Sequence, residues 1–122
     1  MALSADGKQV LTGSRDTTAT LWETAAAKKL QTFQGHTQSV SSVALSADGA
    51  RVLTGSYDTT AILWDAATGK QLQAFLGHTA EVSGVALSAD GKQVVTGSWD
   101  RTAMLWESPT GKQLQTFQGH SK

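Results

Sequence analysis

The sequence repeats itself every 42 residues, and this period constrains the fold more than any other feature. A tryptophan, a histidine and an aspartate recur at that interval: Trp22, Trp64 and Trp106; His36, His78 and His120; Asp16, Asp58 and Asp100. Residues 3–36 match residues 87–120 at 25 of 34 positions and residues 45–78 at 23 of 34. The 122 residues therefore form an array of three similar units, each of which needs a neighbour to bury its apolar face.

The pattern inside one unit is that of short β-strands. Four apolar or β-branched segments occupy residues 40–45, 51–56, 61–64 and 70–75. Turn-forming residues separate them at 47–49, 57–59 and 67–69, where glycine and aspartate suit tight turns. Such punctuation argues against a helical solenoid, and a period of 42 fits a propeller blade of four antiparallel strands. We predict an all-β fold with three such blades in the chain.

Three motifs in each unit carry a resemblance to a known family. They are a Gly-His pair, a T-G-S-x-D turn and a Leu-Trp pair followed by an acidic residue. On these motifs the chain resembles the WD-repeat family of β-propellers over nearly its whole length. The resemblance implies a single WD-repeat region over 1–122, with units at 1–36, 37–78 and 79–122. Only Trp64 precedes an aspartate, because Glu23 and Glu107 follow the other two tryptophans.

One turn departs from the pattern of the others. Ala27 stands where the second and third units have Gly69 and Gly111. An alanine in the left-handed backbone conformation costs roughly 1 kcal/mol or more. We therefore expect the turn at Ala27 to be the least regular of the three.

Composition and charge exclude several classes of function. Ten basic and ten acidic residues give a formal net charge of zero, whereas a nucleic-acid or anionic membrane surface needs a basic excess. The chain has no cysteine, which excludes disulfides and thiolate metal sites. No segment reads as a signal peptide or as the ~20 apolar residues of a membrane helix. A cytoplasmic protein is the default expectation.

The recurring serine, histidine and aspartate invite comparison with a hydrolase, but a catalytic triad is needed once, not three times. The family resemblance implies instead a hydrogen-bond network inside each blade. In the second unit this network joins His36, Asp58, Trp64 and a hydroxyl, either Ser56 or Thr54 on the same strand face. Across the chain the predicted members are Ser14, Asp16, Trp22, His36, Ser56, Asp58, Trp64, His78, Ser98, Asp100, Trp106 and His120.

Neither a metal ion nor an organic cofactor is predicted. Each histidine lies 42 residues from the next with no second ligand nearby, unlike the clustered ligands of zinc sites. The Asp-Gly pairs at residues 6–7, 48–49 and 90–91 lack the further carboxylates of a calcium loop. They are better explained as hairpin turns.

A partner surface is predicted where the near-identical units differ. The residue before the turn aspartate is Arg15, Tyr57 or Trp99, and these residue types are enriched at interaction hot spots. In the WD-repeat family this turn faces the side of the ring where partners often bind, so the resemblance implies a rim there, with Gln38 and Glu81 beside it. The alternative is that the three side chains merely pack over neighbouring turns.

Three blades leave two apolar faces without a neighbour. The predicted core consists of Val10, Leu21, Phe33, Val40, Val43, Leu63, Phe75, Val82, Val85, Leu105 and Phe117. Because propellers typically have 4–8 blades, three blades are too few, and we expect head-to-tail self-association. As a separate expectation, we favour a nine-blade homo-trimer over a six-blade dimer. The alternative is that the chain is a piece of a longer propeller. Thr20, Ile62 and Met104 share one position, which suggests tuning of the contact between blades.

These observations predict a non-catalytic scaffold that binds a protein or peptide. The second hypothesis is a purely structural, self-assembling ring without a specific partner. An enzyme is the least favoured of the three hypotheses, since the recurring polar residues have a structural explanation.

Overall fold

The computed structural model describes residues 2–3, 8–24, 28–46, 50–88, 91–107 and 110–118. Every regular element in these ranges is a β-strand. The strands are β1 (Ala2–Leu3), β2 (Gln9–Gly13), β3 (Thr18–Glu23), β4 (Lys28–Gln34), β5 (Val40–Leu45), β6 (Arg51–Ser56), β7 (Ala61–Asp65), β8 (Gln71–Phe75), β9 (Val82–Leu87), β10 (Gln93–Ser98), β11 (Thr102–Glu107) and β12 (Lys112–Gln118).

The twelve strands form three separate sheets of four. Sheet 1 contains β1–β4, sheet 2 contains β5–β8 and sheet 3 contains β9–β12, and in each the spatial order follows the chain. All pairings are antiparallel. The predicted all-β architecture of three four-stranded units is confirmed.

Each sheet carries a register shift at its tryptophan. Trp64 pairs with Val52 on one side, but on the other the register slips between Leu63 and Trp64, so that Trp64 faces Gln71. The shift recurs at Trp22 and Trp106. A bulge of this kind raises the local twist and re-aims the side chain. The same irregularity therefore lies between the third and fourth strands of every sheet.

The core lies between the sheets, not within any one of them. A first cluster joins one face of sheet 1 to sheet 2, and a second joins sheet 2 to sheet 3. At the centre of the first, the rings of Phe33 and Trp64 lie 5.6 Å apart, and in the second those of Phe75 and Trp106 lie 5.5 Å apart. We call each such contact a joint. The chain contains two joints, and each buries one aromatic pair.

Of the eleven predicted core residues, seven are buried, three are half-buried and one is exposed. The residues that are buried as predicted are Leu21, Phe33, Val40, Val43, Leu63, Phe75 and Val82. Val10, Val85 and Leu105 are half-buried. The prediction for Phe117 was wrong, since its side chain is 49% exposed. Phe117 occupies the place of Phe33 and Phe75, but the described residues offer no following sheet for it to pack against.

The left-handed turn predicted for the second and third units is present. Gly69 and Gly111 have φ angles of 75° and 73°. The side chain of Gln31 covers Gly69, where an added Cβ atom would lie 2.9 Å from the Gln31 carboxamide carbon. Glycine is favoured there by the backbone conformation, whereas Gln31 meets the added atom with the end of a flexible side chain that can move aside. The expectation about Ala27 concerns a residue outside those that the structure describes.

Candidate functional site

A chain of hydrogen bonds, which we call the relay, runs through sheet 2 from the turn aspartate to the buried tryptophan. The Trp64 indole Nε1–H donates to Thr54 Oγ1 at 2.9 Å, and Thr54 Oγ1 lies 2.7 Å from His36 Nε2. His36 Nδ1 lies 2.8 Å from Asp58 Oδ2. Because the carboxylate only accepts, Nδ1 carries the proton and Nε2 accepts from the threonine hydroxyl. The register explains the spacing, since Trp64 pairs with Val52 and Thr54 with Ile62, which makes Thr54 and Trp64 diagonal neighbours across the β6–β7 hairpin.

Sheet 3 carries the same relay with the same geometry. Trp106 Nε1 donates to Thr96 Oγ1 at 2.9 Å, and His78 lies 2.7 Å from Thr96 and 2.8 Å from Asp100. Both histidines and both threonines are buried. In each relay the histidine comes from the segment before the sheet that it joins. The relay therefore ties consecutive repeat units together.

Sheet 1 contains the receiving half of a third relay. Trp22 Nε1 donates to Thr12 Oγ1 at 3.0 Å, and Asp16 accepts from the Thr18 hydroxyl at 2.6 Å. Asp16 is exposed and Trp22 is only half-buried. In the described residues no histidine approaches this pair. His120, the third histidine predicted for the network, lies outside the described residues.

The hydroxyl that receives the indole N–H is that of Thr12, Thr54 or Thr96 and not that of Ser14, Ser56 or Ser98, so the second of the two hydroxyls that the sequence left open is the correct one. Ser56 Oγ donates to the Ser39 carbonyl at 2.8 Å and accepts the Asp58 N–H at 3.1 Å. Ser98 Oγ makes the corresponding bonds to the Glu81 carbonyl, at 2.9 Å, and the Asp100 N–H. In sheet 1, Ser14 Oγ accepts the Asp16 N–H at 3.1 Å. The serines therefore hold the turn, while Thr12, Thr54 and Thr96 receive the indoles.

Sequence reasoning also missed the threonine that lies two residues after each turn aspartate. Thr60 Oγ1 donates to Asp58 Oδ1 at 2.6 Å, and the Thr60 N–H bonds to the same oxygen at 3.0 Å. The other carboxylate oxygen accepts the Thr37 N–H at 3.0 Å. The D-x-T spacing was the available signal, because an aspartate side chain often bonds to the backbone two residues later. These contacts leave both oxygens of Asp58 engaged.

The turn aspartates are held in the charged form. Burial raises the pKa of Asp100, but hydrogen bonds from Thr102, His78 and the Thr79 N–H outweigh it and lower the pKa to about 2 from 3.8. Burial also raises the pKa of Asp58, but hydrogen bonds from Thr60, the Thr37 N–H and His36 outweigh it, so the pKa of Asp58 is lowered as well. The Thr18 hydroxyl lowers the pKa of the exposed Asp16. A charged carboxylate is the stronger acceptor, which fixes the proton on histidine Nδ1.

This geometry does not suit nucleophilic catalysis. Both ring nitrogens of His36 are occupied, and the Thr54 hydroxyl is fully buried. A nucleophile must reach a substrate atom at about 3 Å with a free base beside it. Among the described residues, no group of three or more histidine, aspartate or glutamate side chains is placed to hold a metal ion. The relay is a structural element.

Two of the predicted partner residues, Tyr57 and Trp99, pack against each other on an exposed part of the surface. The rings of Tyr57 and Trp99 lie 5.9 Å apart at 44°, and their side chains are 39% and 61% exposed. Backbone bonds align them, since the Tyr57 N–H donates to Ser39 and the Trp99 N–H to Glu81, both at 3.0 Å. Arg15 is exposed, and its carbonyl lies 3.5 Å from Ser39 Oγ. We call Arg15, Gln38, Tyr57, Glu81 and Trp99 the rim strip.

The arrangement of the rim strip accommodates both sequence hypotheses in part. Tyr57 and Trp99 pack against each other across adjacent turns, yet each leaves more than a third of its surface open. Gln38 is exposed and Glu81 is half-buried. An aromatic pair on rigid turns can bind a ligand with little loss of side-chain entropy.

Comparison with known proteins agrees with the fold. The family model described as "WD domain, G-beta repeat" matches residues 1–23, 27–65 and 69–107, well over half of the chain. No curated protein matches the sequence. Within the part of the chain that the structure describes, no helix is long and apolar enough to cross a bilayer. Because these three segments cover most of the chain, the chain belongs to the WD domain, G-beta repeat family.

Proposed function

We propose that this protein is a non-catalytic scaffold that self-associates head to tail into a closed propeller and presents its rim strip to a protein or peptide. WD repeats generally serve as interaction scaffolds, which gives the first part of the proposal its basis. One observation carries the second part. Among the described residues, one face of sheet 1 and one face of sheet 3, which have the composition of the two halves of a joint, are both uncovered.

The open face of sheet 3 supplies one half of a joint. Phe33 and Phe75 are each 1% exposed because the next sheet covers them, whereas Phe117 is 49% exposed. Val95 is 40% exposed, while its counterparts Leu11 and Leu53 are fully buried. Beside Val95 lies a shallow cavity of about 290 Å³, lined in part by Gly97 and Ala103. This face is apolar and has no partner among the described residues.

The open face of sheet 1 supplies the other half. Trp22 is half-buried, whereas Trp64 and Trp106 are buried beneath a phenylalanine of the preceding sheet. Val10, the counterpart of the fully buried Val52 and Val94, is half-buried as well. A second copy can therefore place its Phe117 on Trp22 as Phe33 lies on Trp64. A contact between unlike faces closes into a ring when the rotation permits it.

The number of blades in each chain sets the size of each candidate ring. Three chains make nine blades and two make six, and we favour the trimer. The alternative function, a purely structural ring, is supported by the packing of Tyr57 on Trp99, which a structural role would also explain. Both functions share the same assembly.

The assembly is tested by light scattering and sedimentation equilibrium of the purified chain. Wild type should give one closed species of three chains, or of two. Phe117→Ala removes an aromatic anchor from the open face and should weaken association at least tenfold. Leu76→Ala is the matched control, since Leu76 is 66% exposed and belongs to neither internal joint. A folded wild-type monomer at every concentration up to 100 μM or so would overturn the proposal.

The rim strip is tested separately with the assembled protein. A displayed library of short peptides is selected on wild type, and the binders are measured again on the double variant Tyr57→Ala, Trp99→Ala. Loss of binding with unchanged oligomer mass supports a partner surface. Peptides that bind wild type and double variant equally would contradict that assignment and leave the structural ring as the function.

A further inference from the structure

We infer that the joint between copies is weaker than the two joints inside the chain, and that Thr20 sets its strength. The inference rests on the proposed self-association and names the residue that controls it. The occupant of the open face of sheet 1 is the open face of sheet 3 from a second copy. Thr20 lies on the first of these faces.

The repeat places Thr20 at a position that is apolar in both internal joints. Ile62 is buried in the first apolar cluster and Met104 in the second. Each faces the preceding sheet, together with the relay tryptophan two residues further along the same strand. Thr20 and Trp22 share that side of β3, and both are half-buried. Thr20 will therefore be covered only when a second copy arrives.

A threonine at this position reduces the apolar contact of the joint. Its hydroxyl replaces the carbons that Ile62 or Met104 contributes, so less apolar surface leaves water when the joint forms. The hydroxyl must also give up its water unless the joint supplies a hydrogen bond. The internal joints carry neither cost, because isoleucine and methionine have no hydroxyl. The same backbone site is therefore weaker between copies than within the chain.

Lys29 adds a second difference at the same face. Its Nζ lies 6.0 Å from the centre of the Trp22 ring. The repeat puts Gln71 and Gln113 at this position in the other sheets, beside Gly35 and Gly77 at the internal joints. A lysine over an aromatic ring is attracted to it and stays hydrated. Part of this attraction and hydration is lost when Phe117 of a second copy covers Trp22.

The ring should therefore dissociate at the joints between copies and not at the joints within a chain. Each chain keeps its two internal joints and both complete relays, so dilution releases intact three-blade chains before these unfold. Assembly is then reversible and depends on concentration, while a dissociated chain keeps its fold.

The test strengthens the joint between copies and leaves the internal joints alone. Thr20→Ile introduces the side chain found at residue 62, and we expect the dissociation constant to fall roughly tenfold for each joint. Thr20→Val, which keeps the shape and removes only the hydroxyl, should shift it in the same direction. Ile62→Thr is the matched control, because it exchanges the same residues inside the chain. It should lower the thermal midpoint and leave the dissociation constant within about twofold of wild type.

Sedimentation equilibrium over a dilution series measures all four proteins. The inference is upheld if both Thr20 variants associate more tightly than wild type and Ile62→Thr does not change association. It is overturned if wild type assembles but neither Thr20 variant assembles more tightly, or if Ile62→Thr shifts the dissociation constant as far as Thr20→Ile does. A wild type that never assembles overturns the proposed function itself, so the two failures are distinguishable.

Discussion

Removing the Thr54 hydroxyl should be among the most destabilising conservative changes in this protein. Thr54 is fully buried and joins the Trp64 indole at 2.9 Å to the His36 imidazole at 2.7 Å. Valine keeps nearly the same shape but neither donates nor accepts. Thr54→Val therefore leaves one buried N–H and one buried ring nitrogen without partners, and no water can replace the hydroxyl at a site that is closed to solvent.

The magnitude follows from the two contacts. A net hydrogen bond contributes about 1 kcal/mol, and each buried polar group left unpaired costs about 1–3 kcal/mol. The two groups share one network, so their losses do not simply add. We expect the free energy of unfolding to fall by about 3–5 kcal/mol, a large part of the stability of a small domain.

The assay is urea unfolding followed by tryptophan fluorescence. All variants are compared at one protein concentration, because self-association adds to apparent stability. Thr54→Ser keeps the hydroxyl and loses one buried methyl, so it should cost about 1 kcal/mol. Ser56→Ala removes only turn contacts and should cost about 1–2 kcal/mol. If Ser56→Ala proved more destabilising than Thr54→Val, the serine and not the threonine would be the centre of the relay.

Two further predictions concern the turn aspartate and the close approach of strands. The pKa of Asp100 is lowered to about 2 from 3.8, so the unfolded chain takes up the proton first and folded stability is lost as pH falls from about 5 toward 2. Thermal midpoints across that range should fall with pH in wild type, and the slope should be shallower in Asp100→Asn; an unchanged slope would contradict this assignment. A Cβ atom on Gly55 would lie 2.7 Å from Val85 Cγ1, so Gly55→Ala should cost about 1–3 kcal/mol in urea unfolding. At Gly97 the nearest atom is 3.9 Å from the Cβ position, so Gly97→Ala should be nearly neutral, and equal losses at the two sites would rule out the close contact as the cause.

The relay and the joints explain why the repeats cooperate. His36 precedes sheet 2 yet bonds to its threonine and aspartate, and Phe33 of sheet 1 packs on Trp64 of sheet 2. Sheets 2 and 3 are therefore each completed by residues of the preceding unit. The stability of each unit depends on its neighbour, as in other repeat proteins in which interface terms dominate.

The sequence by itself determined the architecture. The 42-residue period and the four strand segments predicted the number of strands and their order, and β5 and β6 begin and end at the predicted residues. This worked because strand alternation and turn chemistry are local properties, repeated three times in the chain. The pairing of histidine with aspartate also followed from the repeat together with the family resemblance.

Only the tertiary structure decided which hydroxyl receives the indole and which apolar residues are buried. Thr54 and Ser56 lie two residues apart on one face of β6, so alternation cannot distinguish them, and the cross-strand register of Trp64 makes the choice. Phe33, Phe75 and Phe117 sit in nearly identical strands, yet only the last is exposed. Whether a side chain is buried depends on the neighbouring sheet as much as on the residue itself. The repeat does not show that, in the described chain, the last sheet has no following sheet to cover it.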